Sequence, residues 1–354
     1  MRLFSKVDWQ LLFLICIILA FGITVLVSIN SFEFPSYLIY IISGFILFLL
    51  FSQIDYRVYK SLDWFFYFIC IVALAATFLF GQEIRGSTRW LNLGFFSIQA
   101  SEIIKPFIIL AFSGFALKLN LKKVKDIGIF VLFSLPLIFL VFKQPDLGNA
   151  IIYIVILLSI FYSTKGNLIV LAAGAVFGAL ASPLIWHFFQ DYQKQRILSF
   201  INPASDPLGV GYNLIQAIVT VGSGQFIGKG LGSGTQSTLR FLPERSTDFI
   251  FASLAEEIGF SGSIFILGAI FFLLLKILLA AGKSDAFGKS IAYGIFSLIF
   301  IQSLINIGMN IGLLPITGVT LPLVSQGGSS LIATMICLGI VSNISKSNSV
   351  KTYN

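Results

Sequence analysis

Charge is what this sequence has least of. Of its 354 residues only 11% are Asp, Glu, Lys or Arg, against 57% hydrophobic. Soluble domains carry about 25% charged residues, and a soluble fold of this size needs more charge than this to cover its surface. A soluble globular enzyme is excluded, and a polytopic membrane protein remains, in line with a mean hydropathy of +0.96. Histidine is nearly missing: His187 stands alone, so no His-rich metal site exists. The three cysteines, Cys16, Cys70 and Cys337, lie far apart inside apolar runs without CxxC spacing, which argues against disulfide or metal roles. A cleavable signal is not expected either. Arg2 and Lys6 precede an apolar stretch of spanning length, and no convincing small-residue cleavage site follows. The net charge of +8 would raise nucleic acid as a partner of a soluble chain. Here it reads as a topology signal beside an anionic leaflet, with no nucleic-acid partner.

What the chain does have is long apolar runs. A helix needs about 20 apolar residues to cross the hydrocarbon core. Ten runs qualify: 9–29, 36–53, 62–80, 101–118, 126–142, 147–163, 167–187, 247–278, 288–313 and 327–345. The expected fold is all-α and polytopic, one integral membrane domain over 1–354 with ten transmembrane helices and a long extracytoplasmic loop between helices seven and eight. The run 247–278 is too long for one straight crossing and must start outside the hydrocarbon or tilt strongly. With a cytoplasmic N-terminus, alternate loops carry Arg2 and Lys6, Arg57 and Lys60, Lys118 to Lys125, Lys165, Lys276 to Lys289, and Lys346 with Lys351. That satisfies the positive-inside rule with both termini cytoplasmic.

The outer side is more informative, because topology does not require charge there. Ten of the 15 acidic residues fall on it, Glu33, Glu83, Asp191 and Asp206 among them. So do Arg85, Arg89, Lys105, Lys143, Lys194, Arg196, Lys229, Arg240 and Arg245. In the loop 81–100, "WLNLGFF" is apolar enough to lie in the interface. Glu102 and Lys105 are three apart, share a helix face and can pair just inside the membrane, positioning that helix, serving a site, or both. Asp146 in "KQPDLGNA" suits a helix N-cap. In the segment 188–246, "NLIQAIVTVGSGQFIG" reads as a re-entrant or interfacial piece. "GSGQFIGKGLGSG", with Lys229, has the glycines to approach a phosphate closely, but no strand–turn–helix unit surrounds it and it matches no nucleotide fingerprint. The loop "GLLPITGVTLPLVSQGGSS" reads as a fold-in that plugs the outer end of the bundle, with Ser325, Gln326, Ser329 and Ser330 as uncharged hydrogen-bonding groups or helix caps.

The acids of "PERSTDFIFASLAEEIGFSG", 243–262, divide by spacing. On an ideal helix Arg245 and Asp248 share a face, and Asp248 lies in the first turn. Glu256 is about 12 Å deeper, at 1.5 Å per residue, and Glu257 points away from Asp248. Asp248, at the rim beside Arg245, can reach water and a lipid-borne substrate and is the better general base. Glu256 and Glu257 read as structural, holding a neighbouring helix or capping a loop.

Together "GSTRWLNLGFFSIQASEIIK", "QPDLGNA", "QRILSFINPASDPLGVGYNLIQA", the stretch from "GSGQFIGKGLGSG" to "AEEIGFSG", and "NIGMNIGLLPITGVTLPLVSQGGSS" resemble, in order along nearly the whole chain, the SEDS family of shape, elongation, division and sporulation proteins. Within it the "VDW" start, the short tails and Arg245 resemble RodA more than FtsW, while Ala100, Ser246 and Gln326 depart from the usual pattern. The resemblance implies a ten-helix peptidoglycan glycosyltransferase of the bacterial cytoplasmic membrane. It would polymerise lipid II into glycan strands at the outer face, for elongation and rod shape, with a class B penicillin-binding protein as transpeptidase partner. It further implies that Asp248 is the essential acid, that Glu102 and Lys105 are the family's paired residues, and that Arg89, Asp146, Arg196 and Lys229 contact substrate, with Arg245 beside them. The leaving pyrophosphate calls for Arg, Lys or a divalent cation, Mg or Mn, at ligands the sequence does not identify. The rival readings are an FtsW-like septal polymerase, a flippase or transporter of lipid-linked precursor, and a non-catalytic scaffold. Charges strung through the membrane depth or inverted repeats would favour transport, and neither is seen.

Overall fold

A computed structural model describes residues 6–30, 34–84, 87–92 and 97–349. Arg2, Glu33, Arg85 and Lys351, four of the charges counted above, lie outside the described residues. Helices cover all ten apolar runs: α1 (Trp9–Ile29), α2 (Phe34–Gln53), α3 (Asp63–Phe80), α4 (Ala100–Ile103) with α5 (Lys105–Lys118), α6 (Val124–Lys143), α7 (Leu147–Ser163) and α8 (Leu168–Phe188). The long outer connection holds α9 (Asp191–Ile201), α10 (Val210–Ser223) and α11 (Thr235–Thr238), and the bundle closes with α12 (Ile250–Gly282), α13 (Ala286–Asn310) and α14 (Gly328–Ser349). Among the described residues seven of these helices are long and apolar enough to cross a membrane, and α7 is a shorter apolar helix. The chain is a multi-pass helical membrane protein, because in hydrocarbon a helix satisfies every backbone donor and acceptor within itself.

Lipid tails are as apolar as leucine, so packing, small residues and polar contacts hold such a bundle together. α14 packs along α2, where a Cβ on Gly339 would stand 2.6 Å from the Phe48 carbonyl oxygen. Asp8, Asn167 and Asp285 cap α1, α8 and α13 through their carboxylate or amide oxygens. One end of the bundle is tied by ion pairs between loops that the alternation assigns to one side: Lys118 to Asp63 at 2.6 Å, Lys276 to Asp8 at 3.3 Å and Arg57 to Asp285 at 3.7 Å. The opposite end gathers the outer loops.

Two expectations need correction. The loop 81–100 is not simply an interfacial stretch. Gln82–Ile84 (β1), Ser87–Asn92 (β2) and Ser97–Gln99 (β3) form an antiparallel sheet in the order β1-β2-β3, with Trp90 opposite Gln99 and Leu91 opposite Ile98. Residues 93–96 of "WLNLGFF" lie outside the described residues. The sheet suspends Arg89 above the bundle and feeds directly into α4.

The second correction concerns the long run at 247–278. Its helix begins at Ile250, so Asp248 precedes α12 instead of lying in its first turn. Residues 243–249 form turns in which the Thr247 and Phe249 amides donate to the Glu244 carbonyl. The excess length is resolved by a break at Gly259, where φ is +68°. The chain 225–230 enters that break. The amides of Lys229 and Gly230 donate to the Glu256 and Glu257 carbonyls at 2.9 and 3.0 Å, and those of Phe260 and Ser261 donate to Gln225 and Phe226. A Cβ on Gly228, itself at φ +91°, would stand 2.3 Å from the Glu257 carbonyl oxygen. The glycines of "GSGQFIGKGLGSG" thus serve a backbone-to-backbone lock across a broken helix.

Candidate functional site

α10 lies on α12, with Leu214, Ala217 and Thr220 turned inward. The fold-in after α13 buries Ile316, Val319, Leu321 and Val324 at the outer end of the bundle, as its sequence predicted. It is stitched to the segment before α12: Ser325 Oγ donates to the Thr247 carbonyl at 2.7 Å, and the Gln326 amide to that of Ser246 at 2.9 Å. Ser329 and Ser330 fall within the first turn of α14. Ser329 Oγ accepts from the Gln99 amide, and Ser330 Oγ from Gln302.

This frame presents Asp248. Its carbonyl accepts from Asn306 Nδ2 at 2.9 Å and Asn310 Nδ2 at 3.0 Å, while Asn310 Oδ1 accepts from the Ala252 amide at the start of α12. Asn306 also donates to Val319 in the fold-in. Two asparagines one turn apart on α13 therefore fix the backbone of Asp248 from below. Its carboxylate lies beside Gly318, where a Cβ would come within 3.5 Å of Oδ2.

Arg196, on α9, supplies the link between the outer charges. Burial and then the like charge of Arg89 push its guanidinium below the ordinary pKa, while Asp248, Tyr192 and Asp146 act in the opposite sense. Arg196 thus feels charges carried by β2, the start of α7 and the turn before α12. Arg89 Nε donates to the Gln144 carbonyl at 3.4 Å, and another of its nitrogens to Pro145, whose carbonyl also accepts from Tyr192 Oη at 2.5 Å.

Asp146 is buried and caps α7, as its position predicted. Oδ2 accepts from Gln99 Nε2, Ser101 Oγ and Asn149 Nδ2 at 3.1, 3.0 and 2.9 Å, and Oδ1 from the Asn149 amide. Burial works to raise its pKa, but Arg89 and these hydrogen bonds outweigh it and hold the carboxyl below its ordinary value. A depressed folded-state pKa stabilises the fold above the unfolded pKa, about 4, and that stability is lost as pH falls through the folded value. Asp146→Asn turns an amide donor toward groups that already donate, and is expected to cost about 1–3 kcal/mol at neutral pH. Apparent thermal unfolding in detergent, followed against pH, should show a shallower acid limb for the variant than for wild type.

The other predicted residues have their own contacts. Glu102 and Lys105 pair at 2.6 Å, both buried in the bundle. The contact is an ion pair rather than a well-directed hydrogen bond, since Lys105 Nζ meets no hydrogen-bond geometry. Gln302 Nε2 donates to Glu102 at 3.4 Å. Arg245 donates to the Ile29 carbonyl at the end of α1, at 3.0 Å. Lys229 Nζ lies 3.0 Å from Glu256 Oε1. Glu256 and Glu257 hold loops, as expected: the first accepts from the Gln236 and Ser237 amides and the second from the Gly232 amide and Ser28 Oγ.

Sequence reasoning passed over Asn306, Asn310, Tyr192, Gln99, Ser101 and Asn149. Only the Asn306–Asn310 pair had a signal, two amides at helical spacing in an apolar run. Neither of two cavities, about 460 and 340 Å³, is lined by these outer charges. The arrangement offers one carboxylate to take a proton, with the Arg196 guanidinium in electrostatic reach of it and suited to phosphate oxygens.

Nearly the whole chain is similar to known proteins. Residues 3–350 match the family model FTSW_RODA_SPOVE, described as cell cycle protein. The peptidoglycan glycosyltransferase MrdB of Escherichia coli strain K12 is 41% identical over 305 residues, covering 85% of this chain and 82% of that protein. A solved structure on the structural coordination of polymerization and crosslinking by a peptidoglycan synthase complex superposes with a TM-score of 0.84 at 28% identity, over 97% of this chain and 98% of the other. The rod shape determining protein RodA of Thermus thermophilus gives a TM-score of 0.72 at 26% identity, with 97% of each chain covered.

Proposed function

The chain belongs to the FtsW, RodA and SpoVE family of cell cycle proteins, with RodA-like character, and from that premise we propose that it is the peptidoglycan glycosyltransferase of cell elongation, polymerising lipid II at the outer face of the bacterial cytoplasmic membrane. The observation that carries the chemistry is the frame that presents the Asp248 carboxylate at the outer end, its backbone held by Asn306 and Asn310, with Arg196 within electrostatic reach of it.

In this reading the acceptor sugar hydroxyl attacks the anomeric carbon of a sugar linked through pyrophosphate to a polyprenyl lipid. The new glycosidic C–O bond forms as the bond to pyrophosphate breaks. The hydroxyl proton passes to the Asp248 carboxylate, and the bond electrons leave with the polyprenyl pyrophosphate. Arg196, and the donors of Arg89 not spent on Gln144 and Pro145, stabilise charge gathering on the phosphates. Asp146 orients Arg89 and the start of α7 without touching the reacting atoms. Asn306 and Asn310 keep Asp248 at the rim.

A divalent cation is compatible with this site. The half-buried Asp248 carboxylate is the oxygen donor that would hold a Mg or Mn ion here. When bound it would supply further charge neutralisation to the leaving group. The resemblance to a synthase complex supports a class B penicillin-binding protein as partner, the polymer passing from this chain to a transpeptidase. Lysine-bearing loops at the ion-paired end support cytoplasmic termini.

The test is direct. Purified protein with lipid II and Mg or Mn, with and without its transpeptidase, should yield glycan polymer resolved by gel electrophoresis. A folded wild-type protein that makes none, even with the partner present, would overturn the assignment.

A further inference from the structure

At the end of the bundle opposite the charged site, α7, the α7–α8 turn and the first turns of α13 border an open cavity of about 340 Å³, within the range of small-ligand pockets. Lys165 and Lys289 both line it, with Tyr162, Gly166 and Tyr293. Three basic residues at this end are paired, Lys118 with Asp63, Lys276 with Asp8 and Arg57 with Asp285. Among the described residues neither Lys165 nor Lys289 forms an ion pair. The nearest acid in sequence to Lys289 is Asp285, already engaged by Arg57, Tyr56 Oη and the Gly288 amide.

The backbone adds a second observation. Lys165 takes φ +61° in the turn that ends α7, a position glycine would fill without penalty. The turn is tight: the Lys165 amide donates to Tyr162 and the Gly166 amide to Phe161. A lysine kept in a left-handed conformation, at the lip of a cavity that a second unpaired lysine shares, points to a use for its ammonium. Tyr162 and Tyr293 meet edge to face at 6.5 Å, and Lys289 lies 5.9 Å over the Tyr293 ring. Aromatic rings with lysines at a helix end are the furniture of the headgroup level of a bilayer.

A third observation selects the occupant. Below the cavity Ile151, Ile154, Leu158 and Tyr162 are each exposed and spaced three or four apart, so they form one apolar stripe down α7. A free phosphate has no use for such a track, whereas the acyl chain of a lipid whose headgroup fills the cavity would lie along it. We propose that this cavity is a binding site for an anionic phospholipid, its phosphate held between Lys165 and Lys289 and its tail on the α7 stripe. The site is independent of the glycosyl-transfer reading and about one bundle length from Asp248.

Full-length protein in detergent, titrated with dioleoyl phosphatidylglycerol and read by native mass spectrometry, tests this. Lys165→Gln with Lys289→Gln should weaken phosphatidylglycerol retention about thirtyfold, roughly fivefold for each lysine. Lys122→Gln with Lys123→Gln removes the same charge from the same end, outside the cavity, where salt screens exposed charges from the bound phosphate, and should change retention by no more than about twofold. Replacing Lys165 and Lys289 by arginine should preserve binding and serves as the folding control. Phosphatidylcholine should bind wild type and the glutamine variant alike, and glycerol phosphate should not displace the lipid. Equal losses in the two glutamine pairs, no loss in the cavity pair, or displacement by glycerol phosphate would each overturn the proposal.

Discussion

Asp248→Asn is expected to abolish glycan polymer while leaving the protein folded. The substitution is isosteric, and the bonds that anchor this position run to its backbone, from Asn306 and Asn310 to the Asp248 carbonyl. They survive the change. What is lost is the carboxylate that, in the proposed mechanism, takes the acceptor's proton. General-base catalysis contributes about 10²- to 10⁴-fold, so turnover should fall by at least about a hundredfold. The measurement is polymer formed per enzyme from lipid II over time, alongside apparent thermal unfolding. Arg196→Lys gives a useful contrast. It keeps the charge but loses the planar fork that meets two phosphate oxygens, so a partial loss is expected, smaller than that of the asparagine variant. Polymer from Asp248→Asn at the wild-type rate would remove Asp248 from the chemistry and leave a role in holding the turn before α12.

Much of this was legible in the sequence because the bilayer imposes a length. Each of the ten apolar runs became a helix or a helix pair, since backbone in hydrocarbon has few alternatives. The Glu102–Lys105 pair followed from a spacing of three, whereas the helical spacing read from Asp248 to Glu256 and Glu257 did not apply, because Asp248 lies in the turn before α12. The parts that stayed hidden depend on partners far away in the chain. Asn306 and Asn310 are amides in an apolar run until Asp248 is placed against them, 58 and 62 residues earlier. The strands β1 and β3 have three residues each, too few for alternation to show. The start of α12 was misplaced because apolar pattern continues through Phe249, while Glu244 closes a turn that no periodicity announces. Glycine content correctly pointed to close backbone approach at 224–234, yet what approaches is the broken helix at Gly259, and only the folded chain reveals that.

Glu256→Ala should then be the most damaging change to the outer architecture. Glu256 is fully buried, and its carboxylate is the meeting point of the outer connection. It accepts from the Gln236 and Ser237 amides at 3.0 and 2.9 Å, from Ser237 Oγ at 2.6 Å and from Lys229 Nζ at 3.0 Å. Alanine leaves buried donors without an acceptor, at about 1–3 kcal/mol each, so a loss of about 3 kcal/mol or more is expected. Lys229 is 30% exposed and keeps Thr235 Oγ1, so the broken ion pair contributes a smaller share. Lys229→Met should accordingly cost much less than Glu256→Ala, and Glu256→Gln should fall between them because its amide can accept at one oxygen only. The loss should be local, since Glu256 ties 229–237 to the α12 break while α13 and α14 are held by other contacts. Hydrogen exchange is therefore the decisive measurement: amides of 224–240 should lose protection in Glu256→Ala while those of α13 keep it. Polymerisation should fall with it, because the same connection carries α9, and α9 holds Arg196 beside Asp248. Unchanged protection across 224–240 would show that the backbone lock at Gly259 holds the connection without the carboxylate.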